Sequence, residues 1–149
     1  MQRYWGLILW TALTLASPAR ADGVSGTYVA GSEDSAILLQ VAQTADGQLT
    51  GRYEQVVLQN GGKVARMVAS VTGASDGHTI VVIKPTGLLS GSITASGVVD
   101  GSIVRLSGGG YGSNLDLVFA KAEEMEFRKQ ESALVEQVAH DVEPALEAS

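Results

Sequence analysis

Gly73-Ala74-Ser75-Asp76-Gly77 has the spacing of a strained turn that lifts a serine hydroxyl out of a sheet as a nucleophile. That chemistry needs a strand before the serine, a helix after it and a histidine base supplied from later in the chain. Here strand patterns stand on both sides, and Asp76-Gly77 is a hairpin dipeptide. The later histidines are His78, one residue past the turn, and His140 near the C-terminal end. The segment therefore reads as a turn. Paired carboxylates for glycoside hydrolysis are no better supported. Glu33-Asp34 are adjacent, so on a strand they face opposite ways, while Glu54 and Asp116 fall on polar faces of strand patterns. His78 and His140 read as surface residues, with no three or four ligands at metal-site spacing. Gly108-Gly109-Gly110-Tyr111 could cradle an anion if it opened a helix, but a strand pattern follows. It reads as a flexible connection with Tyr111 at its tip as a partner contact. No catalytic, cofactor-binding or metal-ligating set emerges, so the expectation is a non-catalytic chain without a cofactor.

The elements that carry these residues are strands. From Gly23 to about Ala122 the dipeptides Asp46-Gly47, Asn60-Gly61, Asp76-Gly77 and Asp100-Gly101 each suit a two-residue hairpin. Pro85-Thr86-Gly87 and the triple glycine add two breaks. Eight strands result: Val24–Ala30, Ser35–Thr44, Gln48–Gln59, Val64–Ala74, His78–Lys84, Leu88–Val98, Ser102–Ser107 and Asn114–Ala120. Leu49, Gly51, Tyr53 and Val57 oppose Thr50, Arg52 and Glu54; Leu115, Leu117 and Phe119 oppose Asn114 and Asp116. One polar face per strand requires antiparallel hairpins, and closure removes the exposed edges. The expected fold is all-β: an antiparallel up-and-down barrel of about eight strands, or a flattened barrel or sandwich. The small inward residues Gly51, Gly91, Ala95 and Gly97 favour an interior cavity. The layouts of Val71–Val81 and Thr94–Val104 echo each other, as one hairpin solution used twice.

From Lys121 the chain becomes helical in composition, free of glycine as far as Val142 and with Glu123, Glu124 and Glu126 at the N-terminal end. Phe127, Leu134, Val138 and Val142 form a narrow apolar stripe. Pro144 is expected to end this amphipathic helix at 143. The stripe either packs on the sheet or docks a partner, including a second copy of the chain.

Residues 1–21 read as an export signal. Arg3 supplies the charge, Trp5–Ala16 the apolar run, and Ala19 and Ala21 the small residues before cleavage. About twelve apolar residues reach roughly 18 Å as a helix, short of a ~30 Å hydrocarbon core. Cleavage after Ala21 leaves residues 22–120 as the barrel, 121–143 as the helix and 144–149 as a tail. The mature chain then has 8 basic and 16 acidic side chains among 128 of the 149 residues, a size that suits one domain. That charge repels nucleic acid and anionic membrane surfaces, and no stable membrane insertion is expected after signal removal. No cysteine is present, so disulfides, thiol catalysis and cysteine lipidation are excluded.

Ser25-Gly26-Thr27-Tyr28, followed by Asp46-Gly47-Gln48-Leu49-Thr50-Gly51-Arg52-Tyr53-Glu54, resembles the opening of avidin-type barrels and, more widely, of lipocalin-like calycin barrels. The resemblance implies an eight-stranded up-and-down barrel. It does not extend to biotin, because the avidin pocket is lined by tryptophans and both tryptophans here, Trp5 and Trp10, lie in the signal. The expected role is an exported, periplasmic or extracellular binding protein, with a small apolar ligand in the barrel or a protein partner on its loops. The alternative is a structural component of the cell envelope that docks through the helix.

Overall fold

The computed structural model describes residues 23–86, 91–110 and 113–147; residues 1–21, expected to be an export signal, and Tyr111 lie outside the described residues. The strands are β1 (Gly26–Gly31), β2 (Ser35–Gln43), β3 (Gln48–Gln59), β4 (Lys63–Ser75), β5 (Thr79–Thr86), β6 (Gly91–Asp100), β7 (Ile103–Gly110) and β8 (Ser113–Lys121). They form one closed barrel in sequence order, and helix α1 (Glu124–Glu147) follows. Every neighbouring pair is antiparallel. Closure runs through Tyr28 paired with Lys121 and Val29 with Ala120, so the sheet is a barrel and not two stacked layers. The four hairpin dipeptides behave as their chemistry requires: Gly47, Gly61, Gly77 and Gly101 all take positive φ.

Several boundaries depart from expectation, and the triple glycine Gly108–Gly110, expected to be a flexible connection, is the end of β7, paired with β8 from Gly108–Leu115 to Gly110–Ser113. β5 runs through Pro85, because the β4–β5 ladder stops at Thr72–Ile83 and Pro85 pairs only with Ser92 of β6. A residue without an N–H is tolerated where one neighbour is missing. The helix likewise continues past Pro144 to Glu147, where the proline removes only one donor from a terminal turn.

Alternation sorts the side chains into two cores. Tyr28, Ile37, Leu39, Tyr53, Ile80, Val82, Ala95, Val104, Leu106 and Phe119 are buried inside the barrel. A second cluster lies on the outer wall, where Val29, Ala36, Leu38 and Val56 pack against Phe127 and Leu134 of α1. β2 is therefore buried on both faces, which is why Ala36-Ile37-Leu38-Leu39 is uninterrupted apolar sequence.

Glu54 sits on the outer face, as expected from alternation, yet it is 0% exposed because α1 covers it. Arg52 Nη2 lies 2.6 Å from its carboxylate and Arg128 Nη1 3.1 Å, while Arg66 pairs with both Glu54 and Glu131. Arg128 also reaches Glu124 and Glu131, each at 2.9 Å. A buried carboxylate is tolerated when charge-assisted hydrogen bonds surround it in this way. The bonds to Glu54 and Glu124 raise the pKa of Arg128, and the bond from Arg128 lowers that of Glu124. The cluster ties the helix to β3 and β4. It does so where β4, from Lys63 to Val71, has β3 on one side and no ladder to β5 on the other.

Candidate functional site

The lumen is filled at one end and hollow at the other. At the filled end the segment before β1 enters the barrel and buries Val24 beside Tyr28, Leu49, Ile80 and Val104. Tyr28 Oη donates to the Val24 carbonyl at 2.9 Å. The Val24 N–H donates to Gln43 Oε1 at 2.9 Å, and Gln43 Nε2 donates to the Ser75 carbonyl at 2.9 Å. These bonds stitch the entering segment to β2 and β4, and burial raises the Tyr28 pKa.

At the other end lies a cavity of about 180 Å³. Its walls are Leu39, Val71, Val82, Ile93, Ala95, Leu106, Leu115, Leu117 and Phe119, with Tyr53, Gln55 and Lys84 as its polar lining. The volume is below the ~300–1,000 Å³ of drug-sized pockets. It is close to the ~150 Å³ apolar cavity that stays dry and accepts benzene or xenon. The site is suited to a small body.

Of the small residues expected to open the lumen, Ala95 lines the cavity. Gly51 and Gly97 do something else. A Cβ on Gly51 would overlap the Gln40 carbonyl oxygen, and one on Gly97 the Arg105 carbonyl oxygen. These glycines let adjacent strands approach closely as the sheet curls; they do not create the void.

The polar lining is organised by Tyr53. Lys84 Nζ stands 4.7 Å from the centre of the Tyr53 ring and 3.4 Å from Met67 Sδ. The Tyr53 hydroxyl donates to Gln55 Oε1 at 3.0 Å. Burial lowers the pKa of Lys84 and pushes that of Tyr53 up to about 12. Among the described residues no carboxylate pairs with Lys84. None of these three residues stood out as a site in the sequence. Inward counting from Ile80 and Val82 to Lys84 is the signal that finds the lysine.

The other candidates are scattered. Ser75 Oγ donates to the Thr79 carbonyl at 2.7 Å and accepts from the Gly77 N–H at 3.1 Å, so its hydroxyl serves the turn. Asp76 accepts from the N–H groups of Thr79 and His78, and these bonds lower its pKa. His78, His140, Glu33, Asp34 and Asp116 are exposed. Among the described residues no group of three or more His, Asp or Glu side chains is placed to hold a metal. Of the helical stripe, Phe127 and Leu134 are buried against the chain's own barrel. Val138 is half-buried near Gly62, and the side chain of Val142 lies outside the described residues.

Comparison with protein-family models, with curated proteins and with solved structures gave no match. The closed eight-stranded antiparallel barrel implied by the resemblance to calycin-type proteins is present, without a family match beside it.

Proposed function

We propose that the chain is an exported, non-catalytic binding protein that holds one small, largely apolar molecule in the hollow half of its barrel. The observation that carries this reading is the cavity of about 180 Å³ beside an otherwise filled lumen. Protein interiors are close-packed, so a hollow of this size forgoes contacts that side chains would otherwise make. A ligand that fills it recovers contact energy that side chains do not supply. Apolar residues make up most of the lumen lining, unlike the polar interior of a membrane-spanning barrel. Export rests on residues 1–21 and predicts a mature product beginning at Asp22. The assembly alternative is weakened because Phe127 and Leu134 are already engaged by β1, β2 and β3.

Thermal unfolding with toluene and an n-alkanol series tests the reading. Binding raises Tm by mass action, and the rise should peak at the chain length that fills the cavity. Ala95→Leu, which occupies the cavity from its wall, should abolish the rise while leaving the barrel folded. If no probe raises Tm, or Ala95→Leu responds as the parent does, the reading fails.

A further inference from the structure

The cavity has an apolar body and one cationic corner. Among the described residues Lys84 is the one charged side chain in its lining, and the corner lies where the β4–β5 ladder ends. The β4–β5 ladder ends at Thr72–Ile83, one residue before Lys84, so the ammonium stands between β5 and Met67 of β4 instead of inside a continuous wall. It is half-buried, and its neighbours are a thioether and an aromatic face, which attract a cation without neutralising it. The second donor is Gln55. Because its Oε1 accepts the Tyr53 hydroxyl, its amide N–H groups stay available at the same end of the cavity. One tyrosine thus sets both groups: its ring beside the lysine, its hydroxyl on the glutamine.

We infer that the ligand is an amphipathic anion, a small apolar body bearing a carboxylate-type head group, with the head held by Lys84 and Gln55 and the body in the lumen. This rests on the lumen-binding reading above and adds the head group to it. A purely apolar ligand would leave the ammonium half-desolvated and without a counter-charge. A carboxylate supplies a charge-assisted partner, the strong class of hydrogen bond. The competing account is that Lys84 lays its stem along the apolar rim and keeps its head in water. That account predicts no preference for an acid.

Calorimetric titration of the mature chain at neutral pH with hexanoate, octanoate, the alcohols of equal length and hexylamine separates the two. The acid should bind about tenfold or more tighter than its alcohol, since hydrogen bonds to charged groups carry that much. The amine should bind more weakly than the alcohol. Lys84→Met should erase the preference for acid and keep alcohol binding, and Gln55→Leu should reduce it. Equal binding of acid and alcohol to the parent chain overturns the head-group inference alone, as does an acid preference that survives Lys84→Met. Binding of none of the probes overturns both this inference and the lumen reading. The parent acid-to-alcohol ratio decides the matter even if Lys84→Met fails to fold.

Discussion

The two halves of the lumen are made from the same eight strands and differ in what enters them. One half receives Tyr28, Ile80 and Val104 from its walls and Val24 from the segment before β1, each 2% exposed or less. The other receives Ala95, Val71 and Val82 from its walls and the long polar chains of Gln55 and Lys84, and among the described residues about 180 Å³ stays open. An eight-stranded barrel is just wide enough for side chains to fill or for one small ligand to enter, so residue size decides which. The hollow half is also where the wall is discontinuous. β4 loses β5 as a neighbour there, and α1 holds the β3–β4 ribbon from outside through Glu54, Arg66 and Glu131. Tyr53 faces the cavity and Glu54, its neighbour in sequence, faces the helix. The lesson is that an unfilled lumen can coexist with a closed barrel when the wall around it is braced from the other side.

The contrast is broken most strongly in the outer brace. Glu54→Gln removes the buried charge that three arginines share, and because those arginines are 38–48% exposed the loss is that of the charge-assisted hydrogen bonds given up, about 3 kcal/mol. Urea unfolding should show that loss, and amide exchange should show the β3–β4 ribbon opening before the filled end. A loss below about 1 kcal/mol would mean the helix is held by its apolar contacts alone. In the filled half, Ile80→Ala should cost about 2–5 kcal/mol, because a fully packed site leaves a cavity behind. The matching change in the hollow half, Ala95→Leu, adds volume where there is room for it and should cost less than about 1 kcal/mol or stabilise. Overpacking a filled site typically costs about 1–3 kcal/mol, so a penalty of that size for Ala95→Leu would erase the distinction between the halves.

A pH experiment sharpens the same point at Tyr53. Burial favours its neutral form and places its pKa at about 12, against 10.0 ordinarily. Its contribution is therefore complete below pH 10 and lost as pH rises through about 12, on the order of 2–3 kcal/mol at the upper end. Tyr53→Phe should flatten that part of the stability profile. An absorbance titration in which every tyrosine ionises near 10 would contradict the burial of this ring.

Much of the fold was legible in the residues. The four Asp-Gly and Asn-Gly dipeptides marked four hairpins, and the alternation in Gln48–Gln59 and Asn114–Ala120 placed Leu49, Tyr53 and Phe119 inward. Closure was not legible, because a barrel and a sandwich share the same alternation and differ only in whether the last strand meets the first. The helix's position was legible in principle. Ala36-Ile37-Leu38-Leu39 breaks alternation because a second layer covers β2, and Phe127 and Leu134 supply that layer. The burial of Glu54 follows from the same cover and had no local signature. The candidate site was read least well. Its void comes from Ala95 and from the end of the β4–β5 ladder, a register fact, whereas Gly51 and Gly97 are small for close strand approach.

The most direct test of the hollow half is diffraction from crystals of the chain from Asp22 onward held under xenon. Xenon enters dry apolar cavities of about this size and is visible by its scattering. A xenon site is expected among Ala95, Leu106 and Leu117 and none beside Tyr28 and Ile80 at the filled end. A lumen closed by repacked side chains between Tyr53 and Leu117, with no xenon bound, would contradict it.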